Sequence, residues 1–331
     1  MTASEPTKSA VTAIAHPNIA LVKYWGKADG ERNLPDVGSI SITLDALATR
    51  TTVALAESGD HFSLNESPEP AMSARLFGFL DHFYGADRPT LAVTSFNDFP
   101  TAAGLASSAS GFAALVVAVD ALLHGGHSTP TLAQQAGRGS GSAARSLFGG
   151  FVRLDKPTGI DDDITVTELC AAADFPLEVV VAITSEQRKT VGSTEGMRTS
   201  KQTSPFYPAW IETHEADMAA AAGAIAQRDF ERLANISEHS CLKMHAVMQA
   251  TRPAMLYWNS ATVACMHAVH ALRASGTGVF FTIDAGPQVK AVCLPEHASA
   301  VADELASING VQRILRTGLG KGARILSQGP N

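Results

Sequence analysis

Cysteines and paired metal-binding motifs are scarce in this sequence. Only four of its 331 residues are cysteines, and no two of them form a CxxC pair: Cys170, Cys241, Cys265 and Cys293. This spacing predicts reduced, buried thiols and no disulfide framework. The eleven histidines are accompanied by neither HExxH nor paired CxxC. The sequence therefore does not indicate a zinc site built from protein ligands.

Long apolar runs and a basic excess are also missing. No segment of about 18 uninterrupted apolar residues occurs, and the first ten residues, MTASEPTKSA, are polar. We therefore expect a cytoplasmic protein with neither a membrane span nor a secretory signal. The net charge of -7 and the pI of about 5.9 disfavour a nucleic-acid or anionic-membrane partner. A small anionic substrate is still compatible, because a pocket needs only a few Lys and Arg side chains.

What is present is a globular composition, with 45% hydrophobic and 17% charged residues. The length suits two domains, each with a core. In the first half, short β-type runs between Gly- and Pro-containing turns predict strands, and one Ala-rich run predicts a helix. The strands are Val11–Ala15, Ile40–Leu44, Thr51–Leu55, Leu91–Phe96, Gly149–Leu154 and Leu177–Thr184, and the helix is Leu105–Leu123.

The second half has apolar residues at helical spacing and then a mixed closing segment. The predicted helices are Phe206–Gln227, Phe230–Ala250, Tyr257–Ala274 and Ala298–Ser307, and the predicted strands are Gly278–Ile283, Val289–Leu294 and Val311–Leu315. The closing α-β-β-α-β order is typical of a split βαβ, ferredoxin-like layer. We place the domain boundary near residue 185, which gives domains 1–185 and 186–331.

The segment Asn97–Gly111, NDFPTAAGLASSASG, is typical of a phosphate-binding helix start. Small side chains let backbone N–H groups approach a phosphate, and the helix N-terminus adds partial positive charge. Ser107 and Ser108 offer hydroxyls to a phosphate or a metal ion. The segment lacks GxxxxGK[ST] and is not a Walker A loop. A buried Ala-rich helix with an ordinary Ser cap explains it equally well.

Two lysines lie four residues apart in His16–Lys27, HPNIALVKYWGK. Lys23 and Lys27, with Tyr24 and Trp25 between them, suit a polyanion such as a diphosphate. A solvated lysine pair whose stems cover Trp25 is the alternative interpretation.

A second hydroxyl-rich segment is Gly139–Gly150, GSGSAARSLFGG. Ser140 and Ser142 flank Gly141, which permits close backbone approach, and Arg145 can bind a carboxylate or phosphate through two N–H groups. A helix start with a surface Arg is the alternative.

The segment Thr282–Pro287, TIDAGP, places Asp284 where a predicted strand gives way to a Gly-Pro turn. A carboxylate at a strand end is well placed to act on a ligand. An Asp that caps the turn is the alternative. Together the four segments supply anion donors and one carboxylate, which is what phosphoryl transfer requires.

Five motifs in this order resemble the diphosphomevalonate decarboxylase family of the GHMP kinase superfamily. They are KYWGK at Lys23–Lys27, PTAAGLASSASG at Pro100–Gly111, SGSAARSLFGG at Ser140–Gly150, STEGM at Ser193–Met197 and DAGP at Asp284–Pro287. The resemblance covers most of the chain. It implies an α+β, two-domain GHMP kinase-like fold, with an N-terminal ribosomal-protein-S5-like, ATP-binding part and a C-terminal ferredoxin-like part. It also implies a homodimer.

The resemblance further implies roles for single residues. Asp284 corresponds to the catalytic carboxylate and Arg145 to the Arg that holds the substrate carboxylate, with Asn18 and Lys23 beside the reacting centre. The positions near the substrate are Tyr24, Lys27, Ser140, Gly141, Ser142, Ser193 and Met197. The positions for ATP are Pro100, Ala103, Gly104, Ala106, Ser107, Ser108 and Lys189, and Ser108 is also the position near Mg2+.

The implied reaction is the ATP- and Mg2+-dependent decarboxylation of mevalonate 5-diphosphate to isopentenyl diphosphate, in the mevalonate pathway of isoprenoid synthesis. Thr194 stands where some bacterial relatives carry an Arg that meets the terminal phosphate, so a phosphomevalonate decarboxylase is an alternative. A mevalonate-type kinase and a catalytically silent nucleotide-binding relative are further alternatives. The presence of Asp284, Arg145 and Ser108 together favours an enzyme.

Overall fold

The structure is a computed structural model that describes residues 10–99, 107–123, 125–159, 161–187 and 189–329, with side chains up to residue 327. Between residues 10 and 177 its elements are β1 (Ala10–Ala15), β2 (Asn18–Val22), β3 (Lys27–Asp29), β4 (Leu34–Pro35), β5 (Ser39–Thr43), β6 (Thr49–Leu55), β7 (His61–Leu64), β8 (Ser67–Pro68), α1 (Pro70–Tyr84), β9 (Leu91–Asn97), α2 (Ser107–Leu122), α3 (Thr129–Gly139), a 3-10 turn (Ala143–Leu147), β10 (Phe151–Asp155) and β11 (Thr165–Cys170). From residue 178 onward they are β12 (Glu178–Ile183), α4 (Ser193–Thr203), α5 (Tyr207–Gln227), α6 (Phe230–Gln249), α7 (Ser260–Ala274), β13 (Val279–Ile283), β14 (Val289–Cys293), a short 3-10 turn (Pro295–His297), α8 (Ala298–Ala306), β15 (Arg313–Gly318) and β16 (Arg324–Gly329).

The N-terminal half contains two larger sheets, with strand orders β16-β1-β6-β9-β7-β8 and β11-β10-β5-β2. In β9 every second side chain is buried, as expected for a strand with one face on a core. Helix α2 covers β1 and β6 and shares with them a core that includes Val11, Val53 and Leu115. The first turn of α2 therefore lies at a fixed place beside the sheet.

The C-terminal half is built on the antiparallel sheet β13-β14-β12-β15. One face packs against α7 and α8, with Val269 and Val301 in the core. The other face packs against α5 and α6, and this second core also contains Ile19 and Leu21 of β2. The two halves of the chain thus share one hydrophobic core, which fixes their relative position.

Local sequence explains where two of the C-terminal helices begin. Asp229 accepts a hydrogen bond from the Arg232 N–H at the start of α6. Asn259 and Thr262 form a reciprocal capping box at the start of α7. Each cap satisfies N–H groups that have no partner within the helix.

The predicted α+β, two-domain class is confirmed, and the predicted helices and strands of the C-terminal half are present with small shifts at their ends. The sequence analysis missed β2, β3, β4, β7, β8, β11, β16, α1, α3 and α4. Helix α4 lies in a segment for which the sequence predicted neither a helix nor a strand. Its residues are mostly polar, and it gains its packing from Gly196 and Met197, which lie against Trp25 of the other half.

The predicted division at residue 185 does not coincide with the sheets. Strand β12, which ends at Ile183, lies inside the C-terminal sheet, and β16 returns to pair with β1 at the edge of the N-terminal sheet. A strand that joins a sheet started about 300 residues earlier leaves no local mark in the sequence.

Candidate active site

A carboxylate follows β13 and is held by two buried lysines. Asp284 Oδ1 accepts a hydrogen bond from Lys23 Nζ at 2.6 Å, and its Oδ2 lies 3.2 Å from Lys290 Nζ. Both lysine side chains are 1% exposed, whereas that of Asp284 is 28% exposed. The carboxylate is therefore the part of this group that a ligand in the cleft can reach. The interpretation of Asp284 as a mere turn cap is wrong.

The pKa of the Asp284 carboxyl lies well below its usual range. Burial alone would raise this pKa, but the charges and hydrogen bonds of Lys23 and Lys290 stabilise the ionised form and outweigh burial. Asp284 is consequently a permanent carboxylate near neutral pH, able to accept a hydrogen bond from a substrate hydroxyl.

Arg145 comes from the 3-10 turn that follows α3, and its side chain is almost fully buried at 3% exposure. Its Nε donates to Asn18 Oδ1 at 3.1 Å, and its Nη1 donates to Ser39 Oγ at 2.7 Å. Among the residues that the structure describes, none accepts a hydrogen bond from Nη2. The guanidinium is thus fixed in orientation and still offers donors to an anion. The alternative of a surface Arg is wrong.

The same guanidinium keeps its charge at neutral pH. Burial lowers the pKa of Arg145 to about 10, against the opposing effects of Tyr24 and Asp284. Asn18 is held in turn, because its amide donates to the Ser142 carbonyl at 2.9 Å and to Ser146 Oγ at 2.8 Å. Asn18 and Arg145 therefore form one preorganised polar unit.

The segment Lys23–Lys27 follows β2 as a turn. Residues of the C-terminal half hold this turn in place. Trp25 Nε1 donates to Ser200 Oγ, and the Trp25 carbonyl accepts from Trp210 Nε1, both at 2.9 Å. Gly26 has φ +118°, and an added Cβ would collide with the Tyr207 hydroxyl. Lys23 is buried, so the alternative of a solvated lysine pair is wrong for it. Lys27 is half-buried.

Three predicted serines meet beside this turn. Ser108 Oγ, at the start of α2, lies 3.2 Å from Ser140 Oγ, which lies 3.4 Å from Ser142 Oγ. The buried Tyr24 hydroxyl has no hydrogen-bond partner in the described part of the chain. An added Cβ at Gly141 would sit 2.7 Å from that hydroxyl, so only glycine fits beside it without a shift. The three serines are at least partly exposed, so their hydroxyls are available to phosphate oxygens.

A second group of donors lies at the start of α4. Lys27 Nζ donates to Thr194 Oγ1 at 3.1 Å. Lys189 Nζ donates to Ser193 Oγ at 2.7 Å and to the Ala285 carbonyl at 3.4 Å. Burial lowers the pKa of both lysines. Ammonium groups paired only with neutral oxygens would gain from an anionic ligand.

Several predicted site residues are not among the donors described above. Pro100, Ala103, Gly104 and Ala106 lie outside the described residues. Ser107 and Ser108 begin α2, whose remaining turns are an apolar, largely buried helix. The phosphate-binding role of its first turn stays a prediction. The Met197 side chain is 5% exposed and packs beside Trp25 and Trp210. This side chain therefore supports the site from behind and is not exposed to a substrate.

A cleft of about 640 Å³ opens beside Ser107 and Ser108. Its walls come from α1, β7, β9 and α2, and they are largely apolar, with Phe62, Leu76 and Phe112 among them. Arg75 of α1 reaches the same cleft, donates to the Gly139 carbonyl and lies over the ring of Phe112. The shape and lining suit a flat heterocycle next to a phosphate-binding helix start.

Sequence reasoning missed Lys290 and Arg75. Lys290 stands in the apolar strand VKAVC, and a single lysine in such a strand was the available signal. Arg75 lies in a helix that the sequence analysis did not predict, so no signal pointed to it. None of the helices in the described ranges has both the length and the apolarity needed to cross a bilayer.

The two-domain α+β arrangement, with α2 starting at Ser107 in the N-terminal half and Asp284 following a strand of the C-terminal sheet, defines an enzyme fold of the GHMP kinase type. Two family models match the chain, the diphosphomevalonate decarboxylase-like N-terminal domain over residues 15–165 and the mevalonate 5-diphosphate decarboxylase C-terminal domain over residues 179–325. The chain belongs to the diphosphomevalonate decarboxylase family.

Individual relatives agree with this membership. The human diphosphomevalonate decarboxylase is 36% identical over 92% of this chain and 81% of its own. A structure of MDDEF in complex with MVAPP, AMPPCP and magnesium superposes with a TM-score of 0.88 at 36% identity, over 96% of this chain and 98% of that one. A structure of the Enterococcus faecalis mevalonate diphosphate decarboxylase gives a TM-score of 0.87 at 35% identity, with the same coverage.

Proposed function

We propose that this chain catalyses the ATP-dependent decarboxylation of mevalonate 5-diphosphate to isopentenyl diphosphate, with release of ADP, phosphate and CO2. The observation that carries the proposal is the meeting of Asp284, Lys23 and Arg145 in one cleft. It places one accessible carboxylate beside a fixed guanidinium. This is the set needed to orient a hydroxyl and to hold the neighbouring carboxylate of the same substrate.

The substrate carboxylate would bind Arg145. The guanidinium is fixed by Asn18 and Ser39, so its remaining donors have a defined direction. Bidentate binding of a carboxylate is the geometry that a planar guanidinium favours. The C3 hydroxyl would then donate to Asp284, which Lys23 and Lys290 keep ionised.

The diphosphate would bind the donors on the Tyr24 side of the cleft. The hydroxyls of Tyr24, Ser140 and Ser142 lie there. Ser193 begins α4, and Lys27 reaches the start of this helix through its contact with Thr194. Together they supply more donors than one phosphate group can use. This surplus supports the 5-diphosphate over the 5-phosphate.

The nucleotide would bind between α1 and α2. Its base fits the apolar cleft beside Ser108, and its phosphates would meet the helix start, with Lys189 reaching them from the other side. Mg2+ commonly keeps several waters and takes only one or two protein ligands besides phosphate oxygens, so the single Ser108 hydroxyl is a sufficient donor. When bound, Mg2+ would neutralise charge on the phosphates.

The chemistry would then follow in two stages. The oriented C3 oxygen attacks the γ-phosphorus of ATP. As the new O–P bond forms, the bond from this phosphorus to the bridging oxygen breaks, ADP leaves, and Asp284 accepts the hydroxyl proton. Because the Asp284 carboxylate is a weak base, we expect this proton to move late. The C3–O bond then breaks, phosphate leaves, and the electron pair of the C–CO2 bond forms the new double bond. Arg145 orients the carboxylate until CO2 departs.

A substrate panel tests the proposal. Mevalonate, its 5-phosphate and its 5-diphosphate are each supplied with MgATP, and ADP and CO2 are measured together. We expect the highest kcat/KM with the 5-diphosphate and one CO2 for each ADP. A higher kcat/KM with the 5-phosphate would show a phosphomevalonate decarboxylase instead. ADP without CO2 would show a kinase, and no turnover of any substrate would show a silent relative.

The pairing of Lys27 with Thr194 is the observation that bears on the diphosphate preference, since a threonine adds no charge at this position. We therefore expect a clear but incomplete preference for the 5-diphosphate. The cytoplasmic location, the homodimer and the two-domain division stay predictions. Sedimentation of the purified chain measures its oligomeric state.

A further inference from the structure

Lys290 occupies a position where the sheet would ordinarily place an apolar side chain. It lies in β14, paired with Thr282 of β13 and Val181 of β12, so it sits in the interior of the sheet. The alternate residues Val289 and Ala291 face the core formed with α7 and α8. Lys290 shares the opposite face with Val292, and its side chain is 1% exposed.

A buried ammonium at this position does not promote folding by itself. Removing a lysine charge from water costs several kcal/mol, and a buried ion pair rarely recovers more than this cost. An apolar side chain would fill the same space without that penalty. A reason for the lysine must therefore come from what it contacts, and it contacts the Oδ2 atom of Asp284 at 3.2 Å.

We infer that Lys290 is a positioning residue for the proposed reaction, acting through Asp284. Lys23 binds Oδ1 and Lys290 binds Oδ2, so the two ammonium groups fix the rotation of the carboxylate about its Cβ–Cγ bond. The two carboxylate oxygens are chemically equivalent, so the orientation that matters is that of the carboxylate plane. With one lysine alone, this plane could tilt about its single hydrogen bond. Two ammonium groups, one on each oxygen, hold the plane, so the remaining lone pairs keep one direction.

We expect the loss of Lys290 to lower the turnover rate and to leave substrate binding little changed. Lys290 is buried against Asp284, whereas the groups proposed to bind phosphates come from other segments, among them Ser108 at the start of α2, Ser140 after α3 and Lys189 before α4. Loss of Lys290 should therefore disturb the direction of the hydroxyl in the transition state and leave the ground-state affinities little changed.

The inference rests on the proposed decarboxylation, and Lys290→Met tests it. Methionine fills the space without a charge or a donor. We expect kcat with mevalonate 5-diphosphate and MgATP to fall at least about tenfold, while both KM values stay within about threefold. Unchanged kcat in the folded variant would overturn the inference, and so would a loss seen mainly in KM.

A double variant separates action through Asp284 from independent action. In an Asp284→Ala background, Lys290→Met should cause no further loss of single-turnover CO2 release, because the group that it positions is already gone. A further loss of the same size as in the natural background would overturn the inference.

Arg88→Met is the matched control. Arg88 is a cation whose side chain is 3% exposed. It pairs with Asp60 at 2.7 Å and Asp81 at 2.9 Å, and none of these three residues lines the apolar cleft. Its loss should lower Tm and leave kcat unchanged.

If Lys290→Met does not fold, Lys290→Arg tests the inference in its place. This variant keeps the charge and an N–H donor, and we expect its kcat to lie within about tenfold of that of the natural chain. A folded Lys290→Arg as inactive as Asp284→Ala would overturn the inference.

The natural chain is assayed first in the same experiment. No CO2 release by the natural chain would overturn the proposed function, and the inference with it. Normal CO2 release by both the natural chain and Lys290→Met would overturn the inference alone.

Discussion

The two sides of the cleft are built in opposite ways. The proposed reaction centre consists of Asp284, Lys23, Lys290, Arg145 and Asn18. Asp284 is bonded to the two lysines and Arg145 to Asn18, and four of the five side chains are nearly inaccessible. The proposed phosphate rim consists of Ser108, Ser140, Lys27, Thr194, Lys189 and Ser193. Its donors come from loops and helix ends, and within the described ranges its ammonium groups pair with neutral oxygens.

This difference separates two tasks. A group that acts in the transition state must already be oriented, since reorientation during the reaction adds to the barrier. A group that binds a phosphate gains most when its unliganded partners are weak, because it then exchanges a neutral oxygen for a charged one. Mutations of the centre should therefore change kcat, and mutations of the rim should change KM.

The largest effect that tests this comparison is expected for Asp284→Ala. The variant should fold, yet lose about 3 kcal/mol or more of transition-state stabilisation, with kcat falling over a hundredfold. Circular dichroism confirms folding, and steady-state CO2 release gives kcat. Near-normal kcat in the folded protein would remove Asp284 from the reaction centre.

Arg145→Lys should have the next largest effect, about 2 kcal/mol in kcat/KM. One ammonium cannot reproduce the fixed hydrogen bonds to Asn18 and Ser39 together with two-point binding of a carboxylate. The ratio of CO2 to ADP is the informative measurement. We expect it to fall below one, because phosphorylation would continue after the carboxylate loses its orientation. Nearly full activity would show that charge alone suffices at this position.

The burial of the His245 side chain predicts that the stability of the protein depends on pH. Burial, helped by Lys23, lowers the pKa of His245 to about 3 from an ordinary value of 6.5. The folded protein therefore binds a proton here less readily than the unfolded chain. The stability contribution is complete above pH 6.5 and falls by about 1.4 kcal/mol per unit as the pH drops toward 3.

Urea unfolding of the natural chain and of His245→Gln at pH 7, 6 and 5 measures this contribution. The free energy of unfolding should fall less steeply in the variant. His239→Gln, at an exposed position of the same helix, is the control and should keep the natural slope. Equal slopes for all three proteins would mean that His245 is not protected from protonation.

A rim substitution, Lys27→Met, should raise the KM for mevalonate 5-diphosphate about tenfold, or about 1.4 kcal/mol, and leave kcat within about threefold. Lys27 pairs with the neutral Thr194 hydroxyl, and the variant loses a charge-assisted bond to phosphate. Lys156→Met, at an exposed position of the N-terminal half, controls for the general loss of positive charge. A fall in kcat at unchanged KM would move Lys27 into the reaction centre.

The smallest effect is expected for Ser108→Ala, about 1 kcal/mol, seen mainly as a several-fold higher KM for MgATP. Ser108 lies at the start of α2, beside the apolar cleft and 3.2 Å from Ser140. The KM for the mevalonate compound should change less. Equal changes in both KM values would show that Ser108 acts only as a helix cap.

The rim and the centre also differ in how far they could be predicted. Most rim residues lie in short motifs with Gly and Ser, which carry their chemistry in the local pattern. The centre depends on contacts between distant segments: Lys23 and Asp284 are 261 residues apart in the chain. The sequence indicated that Lys23 and Asp284 are functional residues, but without the family resemblance it did not indicate that they touch.

By itself, the sequence determined the order of the motifs and the kind of chemistry, since these follow from residue types and spacing within short windows. The α+β class was implied by the resemblance that these motifs carry. The tertiary structure alone decided that Lys290 binds Asp284, that α4 packs on Trp25 and that β16 closes the first sheet. These contacts arise from burial and charge pairing between segments far apart along the chain. The cost of bringing such segments together grows only slowly with their separation, so local sequence carries almost no trace of which of them meet.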